Sequence, residues 1–377
     1  MKTLAFLLVL LLQAPPTAPL VAVRTMLKQL SDGLNDHKTT YGATPQLTEA
    51  KHQLRDWVES QLAGQAESID MRDFADRLHG AIAGAGLLCD DCDWNHLGYV
   101  DDVRVRREGG FLVVVTATGI SCGYDESAYA YAWDGRQWRR VWEHEQDTYT
   151  QQDYQPQTIH DVQISAPDAN QNRLLMVLGS QTICGGAFKN IYARAWQLGA
   201  DNRPERVLDW TERANDEYPP IEGRLLPGDV LFKFTAGGFL DGDVHTAVRH
   251  FRTNGGAVMM QVDPIAGLPR DFVLEWLDAP WDVSRGRAES AALQAAHAQL
   301  HRTDGVGDFA KPTLRCTAEP DVWQVHTHLF ESPDRYYRVR WKAPFTFTLV
   351  AISETPFADC TESDSRGETY QNLLKKF

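Results

Sequence analysis

Apolar residues at Leu47, Ala50, Leu54, Trp57, Val58 and Leu62 recur at the 3.6-residue period of a helix, so an amphipathic helix is predicted over 44–62, with Pro45 near its start and Gly64 beyond its end. Phe74, Leu78 and Ile82 mark a second helix over 71–83, for which Asp70 is an available N-cap. A shorter apolar stripe at 26–30 completes a helical N-terminal region. Stripes of this kind face a core and carry no chemistry of their own.

After Tyr99 the period drops to two. Val100 to Arg106, Phe111 to Val115, Tyr129 to Trp133 and Arg140 to His144 read as four strands joined by glycine-containing turns. The same order returns at Ile159 to Ile164, Leu174 to Leu178, Tyr192 to Trp196 and Arg206 to Trp210. It returns again at Ile221 to Leu225, Val230 to Phe234, Ala247 to Phe251 and Ala257 to Val262. Trp133, Trp196 and Phe251 are expected at equivalent ends of equivalent strands. Helical patterns at 271–277 and 287–301 interrupt the series, and strands resume at 313–317, 323–330, 336–341 and 346–352. The fold expected is mainly β, with four antiparallel four-stranded units, propeller-like or arranged as an open or sandwich sheet, a helical N-terminal region and a helical insertion. The corresponding segments are 1–22, 23–97, 98–263, 264–311 and 312–377, the last holding the fourth β unit and a C-terminal tail. The strand pattern resembles propeller repeats in architecture, but no Gly-His or Trp-Asp pair stands at the positions a WD40 blade uses.

The amino terminus changes the chemical context. Lys2 precedes nine apolar residues, Leu4 to Leu12, and prolines then break the run ahead of Leu20-Val21-Ala22, the pattern of a secretory signal peptide cleaved after Ala22. Nine residues are too few to span hydrocarbon, so no membrane span is expected in the mature chain. A secreted or periplasmic location turns the six cysteines, Cys89, Cys92, Cys122, Cys184, Cys316 and Cys360, into candidate disulfide partners, with Cys89–Cys92 the most local pairing and Cys122–Cys184 a candidate bridge between equivalent turns. The 51 acidic residues outnumber 37 basic ones for a net charge of −14, which disfavours nucleic acid as a partner.

Chemistry-bearing motifs are sparse. Gly119-Ile-Ser121-Cys-Gly123 matches the G-x-S-x-G pattern of a nucleophile elbow, but the elbow needs a helix next and the pattern here predicts a strand. The third copy of the same loop carries Asp241-Gly-Asp243-Val-His245, where glycines permit two carboxylates and an imidazole to converge on a cation or a sugar hydroxyl. Asp125 and Glu126 of the first copy are expected to join them if the loops share a rim. His326 and His328 alternate on one strand without a third ligand, so no metal is assigned, and no cofactor fingerprint is present. Trp133, Trp138, Trp142, Trp196 and Trp210 fit packing between units better than a sugar platform. These features predict an exported non-catalytic binding or scaffold protein of the envelope or extracellular space, acting on an unknown ligand or another exported protein. The alternative is a secreted hydrolase of glycans or other exported substrates, working through the loop carboxylates.

Overall fold

The computed structural model describes residues 18–35, 45–88, 98–120, 123–146, 156–182, 188–215, 221–236, 245–253, 259–262, 266–300, 313–327, 333–343 and 346–363. The chain divides into two compact units, residues 1–158 and 159–377.

The first unit packs three helices on one antiparallel meander. Helices α1 (Ala18–Asn35), α2 (Pro45–Leu62) and α3 (Met71–Gly84) precede strands β1 (Val100–Glu108), β2 (Phe111–Ile120), β3 (Gly123–Trp133) and β4 (Trp138–His144), which pair in chain order. Asp70 caps α3 as its position predicts, accepting hydrogen bonds from the backbone N–H groups of Arg72 and Asp73. The helical stripes and one face of the sheet form a single core: Leu20, Val23 and Leu27 of α1, Leu54, Trp57 and Val58 of α2, and Phe74, Leu78 and Ile82 of α3 meet Val103, Leu112, Val114, Tyr129 and Tyr131. Gly98 runs past α1 with φ 81°, where a Cβ would stand 2.7 Å from the Leu27 carbonyl oxygen. Only glycine fits there. The signal-peptide boundary expected after Ala22 falls inside α1, and Leu20, ahead of that boundary, is fully buried.

The second unit holds the remaining three meanders. The second is β5 (Gln157–Ile164), β6 (Arg173–Thr182), β7 (Phe188–Leu198) and β8 (Pro204–Asn215), its first strand starting just before the division. The third is β9 (Glu222–Leu226), β10 (Asp229–Ala236), β11 (His245–Thr253) and β12 (Met259–Val262). The two share a core in which Met176, Leu178, Ala193 and Val207 meet Val230, Phe232, Phe234 and Phe251. Helices α4 (Pro269–Asp278), α5 (Trp281–Ser284) and α6 (Leu293–Leu300) form the insertion. The fourth meander, β13 (Leu314–Cys316), β14 (Val322–Thr327), β15 (Arg335–Ala343) and β16 (Thr346–Ser353), buries Val325, Tyr337, Val339 and Leu349 against Phe272, Val273 and Trp276 of the insertion. A further strand, β17 (Cys360–Ser363), lies in the stretch read as tail and pairs with β13.

The sequence order of four four-stranded antiparallel units is therefore the observed one. Trp133 closes the third strand of its meander, and Trp196 and Phe251 stand two residues from the ends of theirs. No described helix is long and apolar enough to cross a membrane.

Candidate functional site

Ser121 lies outside the described residues, but the strands on either side settle the elbow: β2 ends at Ile120, β3 begins at Gly123, and these two residues are paired. The chain turns from strand to strand, so the strand-to-helix turn that an elbow requires is not formed.

Asp125 and Glu126 stand within β3 rather than on a loop. Successive strand residues point to opposite faces, so the two carboxylates cannot converge. Asp125 faces α2, where its Oδ2 lies 3.1 Å from Lys51 Nζ, with both side chains almost completely excluded from solvent. Lys51 also donates to the carbonyl oxygen of Gln146. Burial raises the Asp125 pKa, outweighing the attraction of Lys51, and Asp125 Oδ1 has no hydrogen-bond partner. Glu126 instead accepts from Arg104 at 2.7 Å. Beside Asp125, the buried Glu145 accepts from the Tyr129 hydroxyl and pairs with His52 at 3.1 Å and Arg55 at 3.4 Å.

Asp241 and Asp243 lie outside the described residues. His245 opens β11 in the second unit, buried, with Nε2 2.9 Å from Glu275 Oε1 on α4. The other Glu275 oxygen accepts from Arg249 at 2.8 Å, and Arg249 continues to Glu212 of β8 at 3.0 Å. Burial works against the Glu275 carboxylate, but the His245 hydrogen bond and Arg249 overcome it and hold its pKa low. One turn earlier on α4, burial pushes Asp271 up to about 6, against the attraction of His245 and Arg270 and a hydrogen bond from the Thr246 backbone. Its Oδ2 has no hydrogen-bond partner. No sequence signal beyond His245 marks this network, because its members come from three elements and no short motif joins them.

A nucleophile–base contact also emerges that no motif announced: Ser180 Oγ of β6 and His160 Nε2 of β5 are 2.9 Å apart. Ser180 is buried in its strand, so the contact ties the two strands together rather than presenting a hydroxyl to substrate. His326 is buried too, 2.9 Å from Asp334 and stacked on Tyr336, while His328 lies outside the described residues. The tryptophans pack: Trp133 meets Trp138 edge-on at 5.6 Å, and Trp210 lies against Phe232 and Phe234. Of the six cysteines, Cys316 and Cys360 form a disulfide joining β13 to β17, and Cys89, Cys92, Cys122 and Cys184 lie outside the described residues.

The second unit also contains a cleft of about 390 Å³ between β5, β9 and β10. Gln163, Glu222, Arg224 and Lys233 supply its polar groups, and Leu231, on the same face of β10 as Lys233, its apolar floor. Glu222, the one carboxylate among its lining residues, is paired with Lys233 at 2.9 Å. Gln163 is held in place by donating to the Gly223 carbonyl and accepting from the Leu225 N–H.

No protein-family model matches the chain, and no curated protein matches it. Among solved structures it is similar to a thermostable family-43 glycoside hydrolase at 11% identity, over 70% of this chain and 78% of that one, with a TM-score of 0.23. A likeness that loose carries no functional argument.

Proposed function

We propose that this is an exported, non-catalytic binding or scaffold protein, in which a polar cleft in the second unit takes a small hydrophilic ligand. The observation that carries the reading is the pairing state of the candidate acids among the described residues. Hydrolysis of a glycosidic bond needs two carboxyl groups facing one substrate. Among its lining residues the cleft offers only Glu222, which is neutralised by Lys233, while Asp125, Glu126 and Glu275 are committed to Lys51, Arg104 and Arg249. A mixed set of carboxylate, guanidinium, ammonium and amide over an apolar floor suits recognition of a hydroxyl-rich or zwitterionic molecule.

Thermal-shift measurements with a panel of oligosaccharides and amino acids, run beside assays for released sugar, test this. A ligand that binds the native state raises the melting temperature. The expected result is a shift without turnover, lost in Arg224→Ala with Lys233→Ala. Sugar release that follows the purified protein overturns the non-catalytic reading. The Cys316–Cys360 disulfide supports export, since such bonds persist in oxidising compartments. The full burial of Leu20 favours a cut ahead of it over one after Ala22. Sequencing the amino terminus of protein recovered from the periplasm or medium tests both points.

A further inference from the structure

We propose that Lys51 and Asp125 become joined by an intramolecular isopeptide bond that fastens α2 to β3. Lys51 interrupts an apolar helix face, between Leu47 and Leu54, where a lysine has no reason to be unless its ammonium has a dedicated partner. That partner is Asp125, 74 residues away, with Nζ 3.1 Å from Oδ2 and side-chain exposures of 1% and 0%. The Asp125 half of the pair is incompletely compensated, because Asp125 Oδ1 has no hydrogen-bond partner and the Oε1 of Gln157, the β5 residue paired with Asp125, has none either. A buried ion pair left this incomplete is expensive to keep.

The chemistry balances with the groups present. Transfer of one proton from Nζ to Oδ2 converts the ion pair into a neutral amine beside a neutral carboxylic acid, the form of Asp125 that burial favours. The amine lone pair then attacks Cγ. The Nζ–Cγ bond forms, the Cγ–Oδ2 bond breaks, and Oδ2 leaves as water with its own proton and one from the nitrogen. Nothing is oxidised or reduced. The closeness of the two groups replaces an encounter with a fixed geometry. A dry site also favours the amide over its hydrolysis, because the expelled water leaves the core.

The test is the mass of the full mature chain after reduction and denaturation, referred to its measured amino terminus. The expected mass is that of the sequence, corrected for any cut, less one water. Trypsin should leave the chain uncut at Lys51 and yield a branched peptide that contains both Lys51 and Asp125. Lys51→Arg, which keeps the charge but cannot form the amide, should regain the mass of the water. Should that variant fail to fold, the wild-type peptide map decides. A folded wild-type protein of full mass, with cleavage after Lys51 and an unbranched Asp125 peptide, overturns the proposal.

Discussion

Asp271 is the buried carboxyl whose neutralisation should have the clearest consequence. Its pKa moves from the ordinary 3.8 to about 6, chiefly because α4 carries it into the buried core. About two pKa units correspond to about 3 kcal/mol of differential stability between the protonation states. The folded protein holds this proton more tightly than the unfolded chain, so the sign runs opposite to that of a salt-bridged aspartate. Below about pH 4 both states are protonated and no penalty exists. As the pH rises from about 4 to about 6, the unfolded chain ionises first and stability falls. Above about 6 the full cost of a buried carboxylate is present. Asp271→Asn keeps an oxygen for the Thr246 N–H and removes the charge, so its advantage should grow with pH. The introduced amide N–H groups lack a partner of their own, which takes back about 1 kcal/mol or more of that gain. Urea unfolding of both proteins at about pH 4.5 and about pH 7.5, followed through the fluorescence of the tryptophans, measures it. The variant should be more stable than wild type by about 1–2 kcal/mol at the higher pH, with the difference shrinking or reversing at the lower. A difference independent of pH refutes the reasoning.

Three further outcomes follow from single contacts. Arg249→Met leaves Glu212 and Glu275 without their shared cation and should destabilise the second unit by about 3–5 kcal/mol, read as a lowered thermal midpoint. Replacing Cys316 and Cys360 together with serine opens a loop with a sequence separation of 44 and should cost about 2–4 kcal/mol in denaturant unfolding under oxidising conditions, a difference that disappears when wild type is reduced. Gly223→Ala places a Cβ 2.5 Å from Leu178 Cδ1 and 3.1 Å from the Leu231 carbonyl oxygen, so the buried Leu178 side chain or β9 must give way, and a loss of about 1–3 kcal/mol is expected by the same unfolding assay.

The sequence alone determined the elements and their order. The longer helices bury a stripe at a 3.6-residue period, and the strands either alternate at two or, like β2, run apolar throughout between turns, and both signals are local properties of the chain. That is why α2, α3, the Asp70 cap and all four meanders were legible, and why the strand pattern after Gly123 spoke against a serine elbow. β17 was missed because four residues after a turn carry too little periodicity to stand apart from a tail. The ionic sites were decided by tertiary structure. Lys51 reads as a polar break in an apolar stripe, and only the packing of α2 on β3 brings Asp125 to it across 74 residues. Asp125 and Glu126 looked like neighbours on one loop, whereas strand pairing sends them to opposite faces. His245 was visible as a candidate, but Glu275, Arg249, Glu212 and Asp271 join it only when α4 and β8 come up beside β11. Periodicity is written in adjacent residues, while an ion pair depends on distances that the chain acquires only by folding.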